Sequence, residues 1–248
     1  MTGRGELRVY ADAEALAQAA AELCAETMQA AVAARGRCGV LLAGGATPRR
    51  AYELLAGEPL AQNIPWHQVH VFWGDERCLP AGDARRNETM ARLALLDRVP
   101  VPPEQVHAID CAGAPEQVAE FYADQLHCFF AGRPPRFDLA ILGLGDDGHT
   151  ASLLPDAAAL AEQQRWTAVT KRPEEPFARV TLTAPLLNQA RLVVFLVSGQ
   201  GKAAVLRAAL TGEQPRLPVH LIRPAGGGLL WLADRAAASL LAEGGGTA

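Results

Sequence analysis

The sequence predicts an α/β fold, and three observations carry that expectation. Short aliphatic runs, such as Gly39–Ala43 (GVLLA), Asp138–Gly143 (DLAILG) and Leu192–Val197 (LVVFLV), lack inside–outside alternation. Parallel strands covered on both faces read this way. Segments with helical apolar spacing alternate with these runs, which is the βαβ pattern. Half of the 248 residues are apolar and 20% are charged, enough for a large core and incompatible with a disordered chain. Together they give three α/β/α layers around a mostly parallel, Rossmann-like sheet. No internal repeat or long linker divides the chain, so residues 1–248 are expected to form a single domain with a frayed tail over 243–248.

The elements follow in order. Leu7–Tyr10 reads as a short strand. Asp12 caps a helix running to Arg35, where Gly36 supplies the stop. Leu16, Ala20, Leu23, Thr27, Met28 and Ala31 recur along it at helical spacing. After the GVLLA strand, a helix opens at Thr47-Pro48. Val69–Trp73 is a strand, Asn87–Leu96 a helix, Val106–Ile109 a short strand and Pro115–Phe130 a helix. Asp138–Gly143, Arg179–Thr183 and Leu192–Val197 are strands. Gln200–Leu210 is a helix, Pro218–Ile222 a strand and Asp234–Ala242 a last helix.

Charge and composition exclude several classes. A net charge of −4 argues against a nucleic-acid partner. The apolar runs are too short to span a bilayer, and the first residues lack the apolar stretch of a signal peptide, so a cytoplasmic protein is expected. Cys24, Cys38, Cys78, Cys111 and Cys128 form no CxxC pair, so reduced thiols, mostly small buried hydrophobes, are expected.

Ligands in an open α/β sheet bind beyond the carboxyl ends of the strands, so the segments that follow strands matter most. Ala43–Pro48 places Gly44, Gly45 and Thr47 at a helix start, where backbone N–H groups favour a phosphate; an ordinary strand-to-helix turn reads the same way. It matches neither GxGxxG nor the Walker A pattern, which disfavours a dinucleotide or nucleoside triphosphate. Gly74–Arg77 gathers Asp75, Glu76 and Arg77, either a pre-charged cluster or a surface ion pair. Gly143–Pro155 is the most informative: three glycines and two aspartates deliver His149 to the rim of the sheet. An imidazole suits acid–base work, and Asp146 or Asp147 could fix its tautomer. His67, His70, His107, His127 and His220 lack such surroundings and are read as inert. No second histidine stands at zinc-ligand spacing, so no metal is expected. Arg179 and Lys202 follow as cations, either solvated or converging with the Gly44–Thr47 loop on one phosphate.

At these residues the sequence resembles the 6-phosphogluconolactonase family and, more distantly, the glucosamine-6-phosphate isomerase/deaminase relatives that share its fold. The resemblance runs from about Gly39 to Asp234. It rests on the Asp-Asp-Gly-His-Thr-Ala-Ser-Leu segment around His149, on Gly74–Arg77 with Asn87 and Met90, on Arg179-Val-Thr-Leu-Thr and on Gly199–Lys202. Arg77 and Ala151-Ser-Leu-Leu-Pro155 favour the lactonase branch over the deaminases, while Ala43 and Ala46 stand where the family often has serine. The resemblance implies a carboxylic ester hydrolase that opens 6-phospho-D-glucono-1,5-lactone, a step of the oxidative pentose phosphate pathway. It implies His149 as general base, Asp147 orienting it, Arg77 at the oxyanion and Asp75 nearby. Gly44, Gly45, Thr47, Arg179 and Lys202 would hold the phosphate. No cofactor, nucleic acid or membrane is expected, and the chain should be a monomer or weak homo-oligomer. Two rivals stand beside this. A deaminase would use Asp75 as a carbon base. A non-catalytic sugar-phosphate sensor would need the phosphate site but neither His149 nor Arg77.

Overall fold

The computed structural model describes residues 5–241. Ten strands form two sheets. The larger has seven parallel strands in the order β1 (Glu6–Tyr10), β10 (Gly228–Asp234), β9 (Leu192–Val197), β6 (Leu139–Gly143), β2 (Cys38–Leu42), β3 (Val69–Trp73) and β5 (Val106–His107). Helices flank it: α1 (Ala13–Arg35), α2 (Ala46–Leu55), α3 (Leu60–Asn63), α4 (Asn87–Ala94), α5 (Pro115–Phe130), α6 (Ala184–Leu187) and α7 (Ala203–Thr211). β2 is buried along its whole length and β6 and β9 nearly so, as their unalternating sequences require. Among the described residues no helix is long and apolar enough to cross a membrane.

Local chemistry sets the boundaries. The Asp12 carboxylate accepts a hydrogen bond from Ala15 N at 2.9 Å and starts α1. Gly36, at φ 73°, ends it. The buried face of α1 includes Leu16, Ala20, Met28 and Ala31, whereas Leu23 and Thr27 lie at its margin. Two buried tyrosines finish the strands that lead to the functional end. Tyr52 of α2 donates to Ala43 O and accepts from Ala43 N beyond β2. Tyr122 of α5 does the same at Trp73 of β3. Each satisfies backbone groups where the chain leaves its ladder.

At Gly74 the chain departs from the large sheet. Gly74 N still bonds Leu42 O, but Gly74 O accepts from Leu182 N. The smaller antiparallel sheet begins there, in the order β4 (Asp75–Arg77), β8 (Arg179–Leu182) and β7 (Thr167–Thr170). Its register sets Arg77 opposite Arg179. Sequence reading missed β7 and read Asp75–Arg77 only as a charged cluster following a strand, not as β4. These strands are short, and β4 is charged rather than aliphatic.

The C-terminal part needs the largest correction. Pro218–Leu221 is a 3₁₀ turn, not a strand. Its Val219 N bonds Gly148 O, so the segment packs on the His149 loop. The strand is instead β10, which begins at Gly228, the last of three consecutive glycines. The expected helix over Asp234–Ala242 is a run of turns through Leu240; Ala242 and the expected tail at 243–248 lie outside the described residues. Val106–Ile109 is a strand only over Val106–His107. All five cysteines are free thiols, but only Cys24 and Cys38 are buried.

Candidate active site

Strand order reverses between β2 and β6: the chain proceeds outward from β2 through β3, and from β6 through β9. A crevice opens beyond the carboxyl ends at such a switch point. Here it is a cavity of about 210 Å³ lined by Gly44 and Gly45 after β2, Asp75 and Arg77 of β4, Asn87, His149 after β6, Arg179 of β8 and Lys202 after β9. Seven of the nine residues singled out from the sequence thus meet in one place. Asp147 stands behind His149, and Thr47 lies in the first turn of α2 off the cavity wall. Thr47 does not cap that helix; the cap position is Gly45, at φ 110°, with no side-chain bond.

His149 is held from one side. Asp147 Oδ1 lies 2.5 Å from His149 Nδ1 and accepts His149 N at 3.1 Å. An ionised carboxylate only accepts, so Nδ1 carries the proton and Nε2 the lone pair. Nε2 makes no hydrogen bond among the described residues and remains available at the cavity. Burial pushes the Asp147 carboxyl up, but bonds from His149 and Arg172 override this and hold it well below the usual carboxylate range. Arg172 donates to Asp147 Oδ2 at 2.8 Å, and its Nη2 stands 2.9 Å from His149 Nδ1. Sequence reading missed Arg172, since nothing in Lys171-Arg172-Pro173 distinguishes it from a solvated charge. The loop fits only with glycine at 145, where a Cβ would come within 1.9 Å of His149 Nδ1.

Asp75 is buried among donors. Ser152 Oγ donates to its Oδ2 at 2.5 Å, and Asn87 Nδ2 lies 3.2 Å from Oδ1 and 2.9 Å from Asp75 O. Asn87 also presses on the glycine loop: a Cβ at Gly44 would sit 1.9 Å from Asn87 Oδ1. Glu76, beside Asp75, is structural. Its carboxylate accepts from Arg77 N, Asn87 N and Glu88 N and so ties β4 to the start of α4. Burial raises its pKa, opposed by those three backbone bonds. Arg77 donates through Nη1 to Arg85 O rather than to Asp75.

The two phosphate candidates are already partnered. Lys202 Nζ donates to the exposed Asp146 at 2.6 Å, so the two aspartates before His149 have separate tasks. Arg179 is buried and makes a two-pronged pair with Glu175, and its Nη1 reaches toward Ser152 Oγ at 3.5 Å. Burial lowers the Arg179 pKa, but the bond from Glu175 leads to a net rise. Among the described residues no three His, Cys, Asp or Glu side chains gather into a metal-binding group.

Comparison with known proteins decides the family. The profile described as Glucosamine-6-phosphate isomerases/6-phosphogluconolactonase matches residues 11–231. The chain belongs to this family. A 6-phosphogluconolactonase of Synechocystis sp. is 45% identical over 213 residues, covering 84% of this chain and 86% of that protein. One from Nostoc sp. is 38% identical, covering 95% and 98%. The solved 6-phosphogluconolactonase of Trypanosoma brucei superposes with a TM-score of 0.85 at 30% identity, over 96% of this chain and 99% of that one. Within the glucosamine-6-phosphate isomerase/6-phosphogluconolactonase family, these relatives place the chain on the lactonase side.

Proposed function

We propose that the chain hydrolyses 6-phospho-D-glucono-1,5-lactone to 6-phospho-D-gluconate, in the oxidative pentose phosphate pathway. Its near-full-length relatives support the activity. One observation carries the residue assignment: His149, oriented by Asp147, offers a free Nε2 to the cavity that Lys202 and Arg179 also line. Water attacks the lactone carbonyl and gives its proton to His149 Nε2. Collapse of the tetrahedral intermediate breaks the bond to the ring oxygen, which takes that proton as it leaves. Arg77 faces the developing oxyanion. Lys202, Arg179, and the backbone of Gly44 and Gly45 hold the 6-phosphate, with Thr47 supporting that loop, so remote binding energy positions the carbonyl. The same reading makes residues 1–248 one cytoplasmic domain, monomeric or weakly self-associating. It needs no metal, organic cofactor, nucleic acid or membrane.

The test uses freshly made 6-phosphogluconolactone, corrected for spontaneous opening, together with glucosamine 6-phosphate. Lactone hydrolysis should fall about 10²–10⁴-fold in His149→Asn and less in Asp75→Asn, with no ammonia from the amino sugar. Asp75, engaged by Ser152 and Asn87, is poorly placed to take a proton from carbon. Sustained ammonia release that Asp75→Asn abolishes would transfer the chain to the deaminases.

A further inference from the structure

The opposite end of the sheet carries a second charged cavity, of about 260 Å³. It lies before the amino ends of β2, β6 and β9 and collects Arg35, Arg37, Arg133, Arg136 and Arg191 around one carboxylate, Asp138. That carboxylate is fully used. Its Oδ1 takes Arg35 at 2.9 Å and Arg191 at 3.3 Å, and its Oδ2 takes Gly39 N at 2.8 Å. Arg37, Arg133 and Arg136 have no carboxylate within ion-pair distance among the described residues. Such a cluster on a chain of net charge −4 runs against the overall field.

The cluster has shape as well as charge. Arg37 is half-buried, its guanidinium lying 4.2 Å above the Phe129 ring and donating to Phe129 O at 3.1 Å. Burial lowers its pKa, and the charge of Arg133 lowers it further. Arg37 and Arg133 thus repel each other, with Asp138 offsetting part of the effect on Arg37. The carbonyl ends of α1 and α5 account for some of this cationic charge, as Arg37 on Phe129 O shows. They do not account for Arg133 and Arg136, whose side chains meet no carbonyl or carboxylate among the described residues. An anion with several oxygens would relieve the repulsion and satisfy planar donors that Lys could not match.

We propose that this pocket binds a small phosphorylated compound carrying at least two negative charges, at a site separate from the active cavity. The probe is inorganic pyrophosphate, titrated calorimetrically at low ionic strength into the parent, into Lys202→Ala and into Arg133→Ala/Arg136→Ala. A pyrophosphate site should persist in Lys202→Ala and weaken about tenfold or more in Arg133→Ala/Arg136→Ala, given the usual strength of charged hydrogen bonds. In the double arginine variant, lactonase turnover without pyrophosphate and the melting temperature should stay at parental values. Absence of pyrophosphate binding in Lys202→Ala overturns the proposal, as does unchanged binding in the double arginine variant. A lowered melting temperature with unchanged binding would leave the arginines as helix-end compensation and also overturns it. So does tighter binding of a single-stranded oligonucleotide than of pyrophosphate, since that marks a polyanion surface. Arg133 and Arg136 line only this cavity and Lys202 only the active one, so the two sets of variants report on the two sites separately.

Discussion

Replacing Gly145 by alanine tests the arrangement of the catalytic loop with one methyl group. A Cβ there would lie 1.9 Å from His149 Nδ1, 2.1 Å from Cε1 and 2.8 Å from Asp147 Oδ1. Non-bonded heavy atoms settle at about 3.5–4.0 Å, so the imidazole must retreat by roughly 1.5 Å. The backbone need not move much, because Gly145 is outside the left-handed region. Its bonds, Gly145 N to His149 O and Gly148 N to Gly145 O, use no side chain. The displacement therefore falls on the His149–Asp147 pair. A shift of about 1 Å in a catalytic group can cost about 10²-fold, so turnover on the lactone should fall by about that factor. Affinity for 6-phosphogluconate should stay within a few-fold, since Lys202 and Arg179 are untouched. Lactonase kinetics and product titration on the folded variant measure both. Parental turnover in Gly145→Ala would mean that His149 is not held where the reaction needs it.

Three further outcomes follow from the same geometry. Lys202→Ala should weaken 6-phosphogluconate binding by about 1.5–3 kcal/mol and leave binding of unphosphorylated gluconate unchanged, as read by calorimetry. Arg172→Gln removes a cation 2.9 Å from His149 Nδ1. It also takes the donor from Asp147 Oδ2, so the His149–Asp147 pair is held less firmly and lactone turnover should fall while 6-phosphogluconate affinity stays parental. Asp147 has a depressed folded pKa. Its stabilisation is therefore full above the unfolded carboxyl value, about 3.9, and is lost as pH falls through the lower folded value. In urea titrations, the stability gap between parent and Asp147→Asn should be constant near neutrality and shrink below about pH 4. A gap that is the same at every pH would remove the pairing argument.

What could be read from the sequence follows physical range. Strands buried on both faces announce themselves as aliphatic runs, so β2, β6 and β9 were legible. His149 was legible because the glycine- and aspartate-rich Gly145–Gly148 is a turn that follows a strand. β4 and β7 were not legible, because charged and threonine-rich segments become strands only by pairing with β8. The β10 run was hidden behind three glycines, and Pro218–Leu221 has a strand's composition but forms the 3₁₀ turn that packs on Gly148. Arg172, Ser152 and Glu175 act through contacts that sequence spacing does not encode. Ser152, for example, meets Asp75 across 77 positions. Asn87 was visible as part of a motif, but its purpose appears only when it touches both Asp75 and the Gly44 backbone.

If Lys202 and Arg179 hold the phosphate as proposed, their present pairing separates their work. Lys202 is held by Asp146, whose side chain is 83% exposed. Exposed pairs are worth about 0–1 kcal/mol, so an arriving phosphate dianion displaces Asp146 at little cost. Arg179 differs: its side chain is 9% exposed, and two nitrogens are taken by Glu175. Breaking that pair would take the buried Arg179 guanidinium off its two-pronged partner, which costs more. Arg179 therefore stays on Glu175 and offers only Nη1 and its fixed positive charge to the cavity, near the carboxylate of Asp75. On that proposal, Lys202 is the cation that changes partner when the phosphate enters and leaves, and Arg179 is the one that stays. The cavity thus keeps its shape through the cycle, while the contact that must release the product is the weaker, exposed one.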